Sequence, residues 1–199
     1  MSVDLNEREL LARVIGTIMS APARKVNFTL GPVRVNTAGF QLVFNAIVTR
    51  RIGVVLGKLP RGAAAAYDSR GDVFHFPHIL YGYTEPERMA LLHESVHAMQ
   101  DIRGAIAYGS WGAAIQTKSE CEAAAYVAGS LYHYYATEFF PESNVEIFLQ
   151  ANRIAESVTR GRTTVTAADA AELRLLIAAE PIYRRDGMTF WTPTEADGV

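Results

Sequence analysis

Apolar residues recur at helical spacing along most of this chain. Leu5, Leu10 or Leu11, Val14, Ile15 and Ile18 fall three and four apart, and Pro22 follows them, which predicts a helix over residues 4–20. Phe40, Val43, Phe44, Ile47, Val48 and Ile52 form a second stripe after the capping pair Asn36-Thr37, closed by residues 53–57, of which Val54-Val55-Leu56 suit either helix or strand. Met89, Leu92, Val96 and Met99 or Gln100 mark a third helix over 87–101. Thr84 or Glu85 caps it, Pro86 stands in its first turn, and Glu85 and Glu87 suit its positive end. An alanine-rich periodic stretch over 118–132 predicts a fourth. Two more cover 142–159, with Gly161 past its end, and 167–179, capped by Thr166 and ended by Pro181.

Alternation with period two is confined to the first half. Residues 25–35 read as a strand broken at Gly31-Pro32. Residues 63–67 and 72–76 read as two short strands joined by Asp68-Ser69-Arg70-Gly71, a hairpin turn. Gly104, Gly109 and Gly112 predict a loop over 103–117, with Tyr108 and Trp111 either shaping a pocket or covering the core. The expected fold is a predominantly helical α+β domain spanning 1–199, with a small antiparallel sheet before the helix at 87–101. The tail from Arg184 is polar.

Chemistry concentrates in His93-Glu94-Ser95-Val96-His97. On a helix, His93 and His97 lie one turn apart on the same face and can hold one zinc ion. Glu94, about 100° away, can reach a water on that ion as general base, the arrangement of H-E-x-x-H zinc hydrolases. A third protein ligand is needed, and the next helix offers Glu120 and Glu122, which face roughly opposite ways. Glu120 shares its face with Ala124, Val127, Ala128 and Leu131; Glu122 shares its face with Tyr126, Gly129 and His133. A ligand must project from the buried side, which selects Glu120 with His93 and His97. Asp101, one turn beyond His97, either orients that imidazole or is solvated. A second polar group for the tetrahedral intermediate could come from Tyr126, His133, Tyr134 or His75. His75 and His78 could each be a ligand or an oxyanion donor, although a surface or edge-strand histidine with no chemical duty is the commoner case.

These motifs resemble the zincin superfamily in its gluzincin branch. The pattern of Glu120-x-Glu122-Ala123 on a small-residue helix is similar to the Glu-x-x-Ala-Asp/Asn motif of ImmA/IrrE-like bacterial metallopeptidases and membrane-anchored zinc proteases. The resemblance covers roughly residues 65–135, within a motif core of about 63–135. It implies a zincin-like metallopeptidase fold, a Zn2+ cofactor held by His93, His97 and Glu120, catalysis by Glu94, and a peptide or protein substrate. It also implies that the strand before the metal helix, Val73-Phe74-His75-Phe76-Pro77, pairs an extended substrate along its free edge. The family's Asp or Asn is Ala124 here, which supports a rival reading as a zincin-like binding or regulatory module without turnover. A helical interaction domain with incidental histidines is a further rival.

Composition narrows the classes. In 199 residues, 49% are hydrophobic and 20% charged, the profile of a globular domain with a substantial core. The net charge of −2 and the lack of a basic run argue against nucleic acid as partner. The one cysteine, Cys121, excludes an internal disulfide and suits a reducing compartment. It is either a thiolate ligand or a small buried residue. The charged amphipathic start is unlike a signal peptide, and the longest uncharged runs are too short to cross a bilayer. The expectation is a cytoplasmic protein with no membrane partner, for which a homo-oligomer is compatible.

Overall fold

The computed structural model describes residues 5–57, 59, 63–108, 117–180 and 183. Helix α1 spans Leu5–Ile18 and a short α2 spans Ala21–Lys25. Pro22, expected only to stop α1, sits in the first turn of α2, where its missing N–H costs nothing, and the Ser20 hydroxyl accepts from the Ala23 amide at 3.3 Å. Strands β1 (Phe28–Leu30) and β2 (Val33–Val35) form an antiparallel hairpin turning on Gly31, whose φ of 55° is left-handed. The outer edge of β1 exchanges backbone hydrogen bonds with residues 163 and 165 at 2.7 and 2.8 Å, which ties the C-terminal half to this hairpin. Helix α3 spans Thr37–Val48 with Asn36 as its cap, as the sequence predicts.

The helix-or-strand ambiguity after α3 resolves as strand β3, Gly53–Leu56. Strands β4 (Ala66–Asp68) and β5 (Val73–Phe76) make the expected antiparallel hairpin. β3 joins β5 in parallel, so the order is β3-β5-β4. This corrects one expectation. β5 is flanked on both sides and has no free edge; the edge strand beside the next helix is β4.

That helix, α4, spans Glu85–Tyr108, and α5 spans Lys118–Thr137. Thr84 and Glu87 cap α4 reciprocally: the Thr84 hydroxyl accepts from the Glu87 amide at 3.4 Å, and the Glu87 carboxylate from the Thr84 amide at 3.0 Å. α4 continues through Gly104, where a loop was expected. A helical glycine costs only about 1 kcal/mol, which burial of neighbouring Ile102 can offset. Trp111, Gly109 and Gly112 lie outside the described residues, as do Phe190 and Trp191 in the tail. Helices α6 (Glu146–Thr159) and α7 (Ala167–Ala179) complete the chain order.

The α4–α5 pair is the centre of the packing. α4 also meets α1, α3 and β4, while α5 meets α2, α6, α7 and the β1–β2 hairpin. Leu91, Leu92, Val96, Ala98 and Met99 of α4 and Ala123, Ala124, Ala125, Val127, Ala128 and Leu131 of α5 are fully buried. Gly39 allows α3 to approach α4: a Cβ there would stand 2.3 Å from the Met99 sulfur. One cluster of buried side chains runs from Leu10 to Tyr183. Among the described residues, no helix is long and apolar enough to cross a membrane.

Candidate metal centre

α4 carries His93 and His97 toward α5, and Glu122 projects between them from the first turns of α5. The two Nε2 atoms are 3.3 Å apart; Glu122 Oε2 is 3.3 Å from His93 Nε2, and Oε1 is 3.6 Å from His97 Nε2. His93, His97 and Glu122 form a group able to hold a metal ion, with one ligand atom from each lying within 4.8 Å of the others. Burial pushes the Glu122 carboxyl up, but the His97 and His93 rings outweigh it and hold this group well below the ordinary carboxylate value.

Glu120, the expected third ligand, is elsewhere. Its carboxylate accepts from the Thr117 amide at 2.9 Å while the Thr117 hydroxyl accepts from the Glu120 amide at 3.3 Å, a capping box closing the start of α5. Its other oxygen meets Arg174 of α7 at 3.2 Å. The argument from an apolar face fails because α5 is buried around most of its circumference, from Cys121 through Ala125 and again from Val127 through Tyr132. A helix buried over most of its circumference has no single inward face. The signal that could have separated the two carboxylates was Thr117-x-x-Glu120, whose spacing assigns Glu120 to the cap. With Glu122 as first residue of the Glu-x-x-Ala pattern, Ala125 takes the alanine position and Tyr126 the one after it. Glu120→Ala should therefore leave metal binding by His93, His97 and Glu122 unaffected and lose on the order of 1 kcal/mol of stability from the cap and the partly exposed ion pair. Zinc content and the urea midpoint measure both, and loss of zinc would refute the placement.

Glu94 is 7% exposed, and its Oε2 accepts from the Tyr67 backbone amide on β4 at 2.9 Å. Burial pushes its carboxyl up to about 7, against the pull of His93 and with the push of Glu122. The Tyr67 N–H on the β4 edge is thereby occupied, so an added strand cannot pair at that position. Tyr67 also donates its phenol to Asp101 Oδ2 at 2.8 Å, so Asp101, 1% exposed, is not solvated. One residue of β4 thus joins two carboxylates of α4.

Beside His93 and Glu122 lies a cavity of about 350 Å³. Its lining is polar at His93, Glu94, Glu122, Tyr126, Glu180 and Tyr183; Ala63–Ala65, Met89, Ala90 and Phe148 are among its apolar members. Of the four candidates for a second polar group, Tyr126 alone borders this cavity, its ring edge-on to His93 at 4.8 Å between centroids. His133 Nδ1 pairs with the Phe139 carbonyl at 2.9 Å past the end of α5, and Tyr134 stacks on Phe140. The His75 ring lies against Gly57, and His78 faces Glu87 at 3.5 Å. Cys121 donates its thiol to Gln100, and burial raises its pKa, so it is a packed side chain rather than a ligand. Tyr183 escaped the sequence reading altogether, since nothing local marks it. Its hydroxyl donates to Glu122 Oε2 at 3.1 Å and lies 3.0 Å from the Tyr126 hydroxyl. Comparison of the chain with protein-family models, with curated proteins and with solved structures gives no match.

Proposed function

We propose that this chain is a zinc-dependent hydrolase of the metallopeptidase type, with His93, His97 and Glu122 as metal ligands and Glu94 as general base. One observation carries the reading. Tetrahedral zinc with bonds of about 2.0–2.1 Å requires its ligand atoms to be about 3.3–3.4 Å apart; the two imidazole nitrogens stand 3.3 Å apart, and Glu122 faces each of them with a different oxygen, Oε2 at 3.3 Å from His93 and Oε1 at 3.6 Å from His97. The donor set, two imidazole nitrogens and a carboxylate, matches catalytic zinc sites that keep a fourth position open. Two buried carboxylates, Glu94 and Glu122, share one cavity, and a cation there would offset the cost of burying their charge.

Bound there, zinc supplies Lewis acidity, making water a nucleophile at neutral pH and polarising a carbonyl. The chain's own groups do the rest. Glu94, held through Oε2 by the β4 amide, keeps its second oxygen to take the proton of the attacking water and return it to the departing amine. The Tyr126 phenol, which burial pushes up to about 12, stays protonated, and by turning its hydroxyl away from Tyr183 it can donate to a developing oxyanion. The apolar part of the cavity excludes water around these groups.

Purified protein should contain close to one zinc per chain, and His93→Ala and His97→Ala should each lose it, because two protein ligands hold zinc poorly. Elemental analysis of the three proteins, with a peptide-library digest of the wild type, is the test. Stoichiometric zinc in both variants removes the metal site. Zinc without cleavage of any peptide favours the non-catalytic module.

A further inference from the structure

We propose that Tyr183, beyond the end of α7, is a positioning residue of the metal centre, fixing the Glu122 carboxylate through its hydroxyl. This rests on the metal-site reading above. The motif helices supply three ligands, but nothing within the motif donates to the Glu122 oxygens apart from the histidines that share the metal. A carboxylate with two oxygens facing two ligand nitrogens can turn between them. Tyr183 restricts that freedom by donating to Oε2 at 3.1 Å, the same oxygen that stands 3.3 Å from His93. Groups that hydrogen-bond a metal-ligating side chain tune metal affinity, commonly by tenfold to a hundredfold.

The donor direction follows from hydrogen-bond bookkeeping. An ionised carboxylate only accepts, so Tyr183 spends its single proton on Glu122. The 3.0 Å contact between the two phenols is then made by Tyr126 donating to the Tyr183 oxygen. Tyr126 in turn packs edge-on against His93. Glu122, His93, Tyr126 and Tyr183 therefore close a ring of contacts around one side of the site. Three of its members come from α4 and α5; the fourth is 61 residues from Glu122 in sequence. Tyr183 is 8% exposed and belongs to the buried core cluster, so its ring is held by packing as well as by the hydroxyl. The C-terminal part of the chain, which the H-E-x-x-H pattern does not require, thus supplies a hydroxyl to the Glu122 carboxylate.

The test is zinc affinity by chelator competition, with the visible spectrum of the cobalt(II)-loaded protein, for wild type, Tyr183→Phe and Tyr126→Phe in the full chain. Tyr183→Phe keeps the ring and removes the donor. It should bind zinc at least tenfold more weakly and shift the cobalt ligand-field bands, which a purely structural ring would leave unchanged. Tyr126→Phe leaves the bond to Glu122 intact and should stay within about threefold of wild type. Wild-type affinity and spectrum in Tyr183→Phe would overturn the inference while leaving the metal site standing. Absence of metal from the wild type would instead overturn the underlying reading. Should Tyr183→Phe not fold, zinc titration of Tyr126→Phe decides: a tyrosine difference band saturating at one equivalent is expected, and no such band overturns the inference.

Discussion

Glu94→Gln should keep its zinc and lose about two to four orders of magnitude in kcat, the usual contribution of a positioned general base. The amide preserves the shape of the side chain, and its oxygen can still accept from the Tyr67 N–H, so the loss isolates proton transfer. The same substitution should stabilise the metal-free protein at neutral pH. Burial raises the Glu94 carboxyl from its ordinary 4.5 to about 7, so the folded state binds a proton that the unfolded state releases. Its contribution to stability is full below pH 4.5 and is lost as pH rises through 7. Above that, the folded chain carries a buried carboxylate at a cost on the order of 3 kcal/mol, from about 1.4 kcal/mol per pKa unit. The Gln variant avoids it. Urea midpoints of the two metal-free proteins should coincide at pH 4 and diverge, in favour of Gln, by pH 8. Undiminished turnover would place the base elsewhere, and a less stable Gln variant at pH 8 would contradict the burial argument.

The helices of this fold were legible because each carries its own period and punctuation. α7, from Thr166 as cap to its last alanine, was predicted to the residue, and α3 began where Asn36 indicated. His93, Glu94 and His97 were legible for the same reason: their relation is fixed by one turn of one helix. What failed required knowledge of neighbours. Val54-Val55-Leu56 become a strand only because β5 offers a parallel edge, and β5 loses its own free edge by the same pairing. Glu120 and Glu122 could not be separated by face, since α2, α6, α7 and the hairpin enclose α5. The capping-box spacing at Thr117 was a local signal and pointed the right way. Tyr183 was illegible in principle, because its role is set by where it packs against α5 rather than by anything near it in sequence.

Glu122→Ala should abolish stoichiometric zinc binding, lowering affinity well beyond the tenfold to hundredfold typical of outer-shell changes, because a direct ligand is lost. The paired comparison with Glu120→Ala gives the result its force, since the two residues are two apart in the same helical turn and the structure gives them different partners. The effect on metal-free stability should differ with pH as well. The histidine rings hold the Glu122 carboxyl well below its ordinary 4.5, so its contribution is present above that value and is lost as pH falls through the depressed one. Replacing it removes this contribution at neutral pH and takes away one acceptor of the Tyr183 phenol. Glu122→Ala should thus be less stable than wild type at pH 7, with the gap narrowing on acidification, the opposite sign to Glu94→Gln. Zinc retained in Glu122→Ala and lost in Glu120→Ala would reverse the assignment, and a gap that widens in acid would show that Glu122 is not held ionised by His93 and His97.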